Sequence, residues 1–589
     1  MRKVLVAVLA IVGALALLVA IVALLAALAA WSGKGSVASG TILEADFEQG
    51  FAECVPADPV AKVVLGKMPV LRDAVEALER AGEDERVVAL VARIGGGGMG
   101  LAQAQELRDA VIAFRAKGKR AVAWSETFGE FGPGNVGYYL ATAFDEIHLQ
   151  PSGDIGLTGL VSESPFVRGT LDKLGVVPRM DHRHEYKNAM NLFTETKYTD
   201  PHREAMADLM NSMFGQIVRG VAKGRNLPEE RVRALFDRGP FLGQEARDAG
   251  LVDSLAYRDE VYAKVREKAG KDAKLLYLSK YLERAGRPHR KGETVALIYG
   301  VGAVVRGESK FDPLFGSPSM GSDTVASAFR AAVEDEDVKA ILFRVDSPGG
   351  SYVASDAIYR ETLRAKEAGK PVIVSMGDVA GSGGYFVAMA ADTIVGQPGT
   401  ITASIGVLGG KMLTRAMWEK IGLTWDDVAP GPQSRMRSAL HDHTPEQWER
   451  FEGWLDRVYE DFTGKVAAGR KLPRERVLEI AKGRIWTGED AKRLGLVDEL
   501  GGYPAAMKAA REAIGLAPDA KIRLKVFPRE KSTFEMILDK GRESSEGKAE
   551  AAVLARVLAT VRPWAVAASR AGLVGTPGVL TMPPVEPAR

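Results

Sequence analysis

Ser382 is set between glycines, and its surroundings suit chemistry better than those of any other hydroxyl in this sequence. It lies in Asp378-Val379-Ala380-Gly381-Ser382-Gly383-Gly384-Tyr385, directly after the apolar run Val372–Ser375. At a strand-to-helix junction a hydroxyl is open to approach, which makes Ser382 a candidate nucleophile; a structural turn serine is the other reading. The α/β-hydrolase elbow Gly-x-Ser-x-Gly does not fit, because Ala380 stands where its first glycine belongs. A second glycine turn, Asp346-Ser347-Pro348-Gly349-Gly350, follows another apolar run. Glycines there can turn backbone N–H groups toward a developing oxyanion, or simply make a tight turn after a strand.

A serine nucleophile needs a base. The seven histidines are His148, His182, His184, His202, His289, His441 and His443, and none stands in a triad context. His182/His184 and His441/His443 share His-x-His spacing but have no nearby cysteine or third ligand, so they read as loop or surface histidines. A lysine can serve if burial holds it neutral, its pKa falling from about 10.4 toward 7–8. Composition does not select that lysine.

The elements that must position these groups come from short apolar runs alternating with helical patterns. Val295–Tyr299, Ala340–Val345 and Val372–Ser375 read as buried strands, and Ala354–Ala368 as a helix. That alternation predicts a parallel α/β sheet. It also occurs twice. Arg225-Asn226-Leu227-Pro228 returns as Arg470-Lys471-Leu472-Pro473, and Gly250-Leu251-Val252-Asp253 as Gly495-Leu496-Val497-Asp498. Residues 225–255 and 470–500 share 13 identities in 31 positions. Gly137-Tyr138 likewise match Gly384-Tyr385. Two diverged copies of one domain are expected at 45–285 and 293–530, with a linker at Ala285–Gly292 and a C-terminal extension at 531–589. Within the extension, Glu550–Val561 reads as a helix and Thr576–Arg589 as a flexible tail. The copies differ where chemistry is expected: Asn135 replaces Ser382, and Gly95-Gly96-Gly97-Gly98 replaces the second glycine turn. Loss of the serine from one copy suits a hydroxyl used once per chain.

Composition narrows the function class. With 78 Lys+Arg against 76 Asp+Glu among 589 residues, no basic field supports nucleic-acid binding. The single cysteine, Cys54, excludes an intrachain disulfide, a Cys-based zinc site and an iron–sulfur cluster. At the N-terminus, Arg2 and Lys3 precede thirty uncharged residues, Val4 to Gly33. About twenty apolar residues span a bilayer. A signal peptide with a cleavage site at Ala27-Leu28-Ala29 is the alternative, but its apolar region is only about 7–15 residues long. Residues 1–33 are therefore expected to be a retained transmembrane anchor, with the N-terminus cytoplasmic and the body on the far side.

These motifs resemble the long form of bacterial signal peptide peptidase, the protease IV family. The match rests on Arg344-Val345-Asp346-Ser347-Pro348-Gly349-Gly350-Ser351, Gly381-Ser382-Gly383-Gly384-Tyr385 and Ala403-Ser404-Ile405-Gly406, over about residues 45–535. The resemblance implies tandem Clp-protease/crotonase-like domains and a Ser–Lys dyad in place of a Ser-His-Asp triad. It implies Ser382 as nucleophile and Lys187, in Glu185-Tyr186-Lys187-Asn188-Ala189, as general base. Ser404 would orient the lysine, with the backbone N–H groups of Gly349 and Gly383 holding the oxyanion. Copy two has Gln433-Ser434-Arg435 opposite Lys187, and copy one has Leu157 opposite Ser404, so one composite site per chain is expected. Asp346 stands where Asn is more usual and Gly381 where Ala is common; neither change removes a group the chemistry requires.

The implied activity is cleavage of released signal peptides and other apolar peptides, by a periplasm-facing homotetramer in the inner membrane. No metal, cofactor or nucleic acid is implied. Two other readings stand beside it: a catalytically inactive membrane-anchored peptide-binding scaffold, and a crotonase-like acyl-CoA enzyme.

Overall fold

The computed structural model describes residues 35–56, 61, 65, 68–270, 272–313, 317–528 and 580–581. The expected anchor at Val4–Gly33 and the expected helix at Glu550–Val561 lie outside the described residues. Among those described, no helix is long and apolar enough to cross a membrane.

Two largely parallel sheets carry the chain and share a six-strand order, to which the second adds Ile401–Ala403, parallel to Val379–Gly381, and Ile485–Thr487, antiparallel to Ile401–Ala403. In the first copy the order is Ser254–Leu255, Glu146–Leu149, Arg120–Ser125, Val87–Arg93, Thr41–Asp46, Lys274–Tyr277. In the second it is Glu499–Leu500, Thr393–Gly396, Val372–Gly381, Val338–Ser347, Glu293–Val301, Ile522–Phe527. Strands that helices cover on both faces read as continuous apolar runs, which is why these segments are legible as buried strands. Each run extends beyond its sequence expectation, most of all the third, which continues from Ser375 to Gly381. The helix expected at Ala354–Ala368 spans Tyr352–Glu367, with the Ser351 hydroxyl capping its start at Ala354 N.

The residues repeated between copies do the same structural work in each. Asp253 accepts the Ile147 N–H at 2.7 Å, and Asp498 accepts the Ile394 N–H at 2.7 Å. The Tyr138 hydroxyl donates to Leu251 O at 2.7 Å, and that of Tyr385 to Leu496 O at 2.9 Å. A 26-residue helix recurs at Asp200–Arg225 and Pro445–Arg470, each opened by a threonine cap (Thr199, Thr444) and closed by a left-handed residue (Asn226, Lys471).

The copies are locked together by two kinds of contact. Strand Val177–His182 of the first pairs antiparallel with Leu408–Leu413 of the second. Helix Leu101–Ala116 of the first packs on the second through buried polar groups. Asp378 accepts the Gln103 N–H at 3.1 Å, near the start of that helix, and Gln105 accepts the Gly399 N–H at 2.7 Å. Beneath them Arg344, the one charged residue in the apolar run Ala340–Val345, is fully buried between Glu53 (2.8 Å) and Glu106 (3.0 Å).

A smaller sheet lies beside the second copy, in the order Phe311–Asp312, Ser317–Gly321, Ala303–Val305, Gly349–Gly350, Leu580–Thr581. Its last strand comes from the Pro-rich tail; the other tail residues lie outside the described set.

Candidate active site

Three segments converge on one buried point. Strand Ile401–Ala403 runs parallel to Val379–Gly381, which sets Ser404 beside Ser382, and Ser382 N donates to Ala403 O at 2.7 Å. The antiparallel pairing places His182 opposite Leu408, and Arg183 N donates to Val407 O at 3.0 Å. Continued five residues past His182 and four residues back from Leu408, the two chains deliver Lys187 to Ser404.

Lys187 Nζ lies 2.7 Å from Ser382 Oγ, 2.9 Å from Ser404 O and 3.0 Å from Ser404 Oγ. All three residues are fully buried. Burial, with no carboxylate to offset it, holds the Lys187 ammonium well below the usual lysine value. The Ser404 hydroxyl donates to Gly483 O at 3.4 Å, which leaves its lone pairs facing the amine. Two glycines make room for the lysine stem. A methyl group on Gly483 (φ +82°) would sit 2.6 Å from Lys187 N, Cα and Cβ, and one on Gly406 would sit 3.2 Å from Lys187 Cδ.

Ser382 itself is strained, at φ 54° and ψ −113°, between strand Val372–Gly381 and the short helix Gly383–Phe386. A residue with a side chain rarely holds that conformation unless its surroundings impose it. Although Ala380 breaks the hydrolase motif, the sharp strand-to-helix turn serves the same end of presenting the hydroxyl. Gly383 packs on the second glycine turn: a methyl there would lie 3.0 Å from Gly350 N and 3.1 Å from Gly349 Cα. The Gly349 N–H donates to Ser347 Oγ at 3.2 Å, and that hydroxyl donates to Gly302 O at 2.6 Å.

The corresponding corner of the first copy is closed. Asn135 donates to Gly159 O at 2.8 Å and accepts from Thr158 N and Gly159 N at 3.2 Å, so it braces a loop. Leu157 is buried in the core. Among the described residues no cluster of three or more His, Cys, Asp or Glu forms a metal-holding group.

Two half-buried carboxyls tie the second glycine turn and the nucleophile strand to their surroundings, and neither offsets the desolvation of Lys187. Asp346 accepts the Val379 N–H at 2.9 Å, linking the second glycine turn to the nucleophile strand. Burial, with the Glu53 and Asp378 charges added, raises Asp346 to about 8. Asp378 is raised to about 6, again chiefly by burial. Sequence reasoning passed over Gly483 and the Val177–His182 pairing, which act across long separations, and gave Ser347 no role of its own. Arg344 carried a readable signal, a single charge within the apolar run Ala340–Val345.

The model of Peptidase family S49 matches residues 113–272 and 364–517, one stretch in each copy. The chain belongs to peptidase family S49. It is a serine peptidase of the long, duplicated protease IV form. It is 32% identical over 483 residues to Protease 4 of Salmonella typhi, covering 80% of this chain and 75% of that protein. It is 30% identical to Protease 4 of Haemophilus influenzae, covering 77% and 74%, and 30% identical to the chloroplastic serine protease SPPA of Arabidopsis thaliana, covering 78% and 68%. Among solved structures, a ClpP1 mutant from Listeria monocytogenes aligns with 36% of this chain and 94% of its own, at a TM-score of 0.24 and 14% identity.

Proposed function

We propose that this chain is a Ser–Lys dyad endopeptidase that degrades released signal peptides and other apolar peptides at the extracytoplasmic face of a membrane. The observation that carries the reading is the 2.7 Å approach of Lys187 Nζ to Ser382 Oγ in a fully buried setting without a carboxylate. Neutral Lys187 takes the proton from Ser382 Oγ as that oxygen attacks a peptide carbonyl. The new C–O bond pushes the carbonyl electrons onto oxygen, and backbone N–H groups of Gly349 and Gly383 stabilise the oxyanion. Gly349 would turn its N–H from Ser347 Oγ toward the substrate. Collapse of the intermediate breaks the C–N bond, and Lys187 gives its proton to the leaving amine. A water molecule, deprotonated by the same lysine, then hydrolyses the acyl ester and frees Ser382. Ser404 holds the amine aimed at Ser382 throughout.

Support for the membrane setting comes from the apolar run Val4–Gly33, and for the homotetramer from the family resemblance alone. The deciding assay uses detergent-solubilised protein and an apolar fluorogenic peptide, comparing wild type with Ser382→Ala and Lys187→Ala. Cleavage by wild type and near-complete loss in both folded variants supports the dyad. Full activity in the Lys187 variant moves the base elsewhere, and no cleavage by any of the three favours the inactive scaffold.

A further inference from the structure

The segment Lys482-Gly483-Arg484 threads between the lysine loop and Ser404. On one side Tyr186 N donates to Lys482 O at 3.1 Å. On the other, Gly483 N donates to Ile405 O at 2.8 Å and Ser404 N to Arg484 O at 2.9 Å. Lys187 and Ser404 are thus both hung from one short stretch of the second copy.

The Arg484 side chain reaches back across the lysine loop. Its guanidinium lies over the Tyr186 ring at 4.6 Å and the Trp486 ring at 4.7 Å. It also pairs with Glu204 at 2.8 Å and with Asp208, both on the first copy's long helix Asp200–Arg225. The Tyr186 hydroxyl donates to the same Glu204 at 3.0 Å. Both carboxylates are more than half exposed, so these ion pairs alone hold the loop weakly. A flat guanidinium between two rings adds packing that lysine cannot supply. The register that aligns residues 225–255 with 470–500 puts Gly239 opposite Arg484. Gly239 packs directly on Leu157, so the corner that seats no lysine keeps no arginine either.

We propose that Arg484 is the positioning residue of the general base: its guanidinium holds Tyr186 down and keeps Lys187 seated against Ser404 and closed to water. The proposal rests on the Ser–Lys reading of this site and names the residue that fits the lysine for it. Burial alone lowers Lys187, so Arg484 acts through the seat and not through its charge. Of its own neighbours, Glu204 is held below the ordinary carboxylate value by the Arg484 hydrogen bond, and burial raises Tyr186. Glu185 and Lys482 pair with each other at the surface at 3.1 Å.

The test measures kcat and KM against pH for the detergent-solubilised full chain on an apolar fluorogenic peptide. Wild type is compared with Arg484→Ala, Arg484→Lys, Tyr186→Ala, Tyr186→Phe and Lys187→Ala, each checked for folding by thermal melting. A loosened Lys187 is wetter and keeps its proton to higher pH. Arg484→Ala should lower kcat at pH 7 by about 10- to 100-fold, with KM changed less than about twofold. The rise of kcat/KM should move upward by about one pH unit or more, toward the ordinary lysine value. Tyr186→Ala should repeat both changes, and Tyr186→Phe, which keeps the ring, should show neither. Arg484→Lys keeps the charge without the flat stack and should fall between. An unmoved profile in Arg484→Ala, or a loss equal at every pH, overturns the proposal. If Lys187→Ala is inactive in that case, only the positioning role fails. Full activity in Lys187→Ala sinks the dyad and the positioning role with it, and no cleavage by wild type sinks both.

Discussion

Lys187 Nζ and Ser382 Oγ stand 2.7 Å apart although 195 residues of chain separate them, one from each copy of the duplicated domain. Both lie in one chain, so the pair needs no second protomer. Only the docking of the two copies brings the amine to the hydroxyl, and the burial it creates lowers the amine's hold on a proton.

The first consequence concerns charge at position 187. Lys187→Arg keeps a cation of similar length that does not deprotonate. We expect it to be as inactive as Lys187→Ala, with turnover down by about 10⁴ or more, as for other disabled serine nucleophiles. Substantial turnover by the arginine variant would mean that position 187 supplies charge and not a base.

The pH profile follows from the same burial. The base works only when neutral, so kcat/KM should rise with pH through the lowered Lys187 pKa and flatten well below the usual value of about 10.4. For stability the sign is set by the unfolded chain, which holds the proton up to the normal lysine value while the folded chain releases it at a lower pH. This group therefore costs stability below that value, and the cost shrinks as pH rises toward it. Lys187→Met should accordingly be inactive yet more stable at pH 7, by about 0.5–2 kcal/mol in chemical denaturation.

Gly483 offers a steric test. Alanine there would meet the Lys187 backbone at 2.6 Å and hold an unfavourable φ of +82°. A displacement of about 1 Å is enough to cost about 10²-fold in rate. Gly483→Ala should lose that much kcat while Ser382 remains in place; unchanged kinetics would show that the lysine is not held by this contact.

Asp346 predicts a pH-dependent stability difference. Its folded pKa of about 8 lies above the ordinary value of 3.8, so the folded chain keeps a proton that the unfolded chain gives up between those pH values. Stability from this group is full below pH 3.8 and falls as pH rises toward 8. An asparagine amide at this position would accept the Val379 N–H without titrating. Melting of Asp346→Asn should thus match wild type near pH 4 and exceed it increasingly up to about pH 8. A constant difference across that range would show that Asp346 does not hold the proton.

Arg344 tests the join between copies. Removing it leaves Glu53 and Glu106 buried without their cation, a loss of about 3–5 kcal/mol for a broken buried pair. Arg344→Met should show that loss in urea unfolding, whereas Arg476→Ala, at an exposed pair with Glu479, should change nothing measurable.

The duplication, the parallel α/β character and the candidate serine are all legible without a structure. Those are local or periodic signals: apolar runs of strand length, matched Gly-Leu-Val-Asp and Arg-x-Leu-Pro segments, and a serine flanked by glycines. Asp253 and Asp498, or Tyr138 and Tyr385, recur because each copy must close its own sheet with the same bonds. The lysine is different. Nothing local distinguishes Lys187 from any other lysine, and it enters only through resemblance to a known family. Its desolvation depends on Ser404, Gly406 and Gly483, which lie more than two hundred residues away and surround it only after the strands Val177–His182 and Leu408–Leu413 have paired. The tail strand at Leu580–Thr581 is equally invisible in sequence, because a two-residue pairing with Gly349–Gly350 leaves no periodic trace. Chemistry that depends on desolvation belongs to the assembled interior, and no segment read alone carries it.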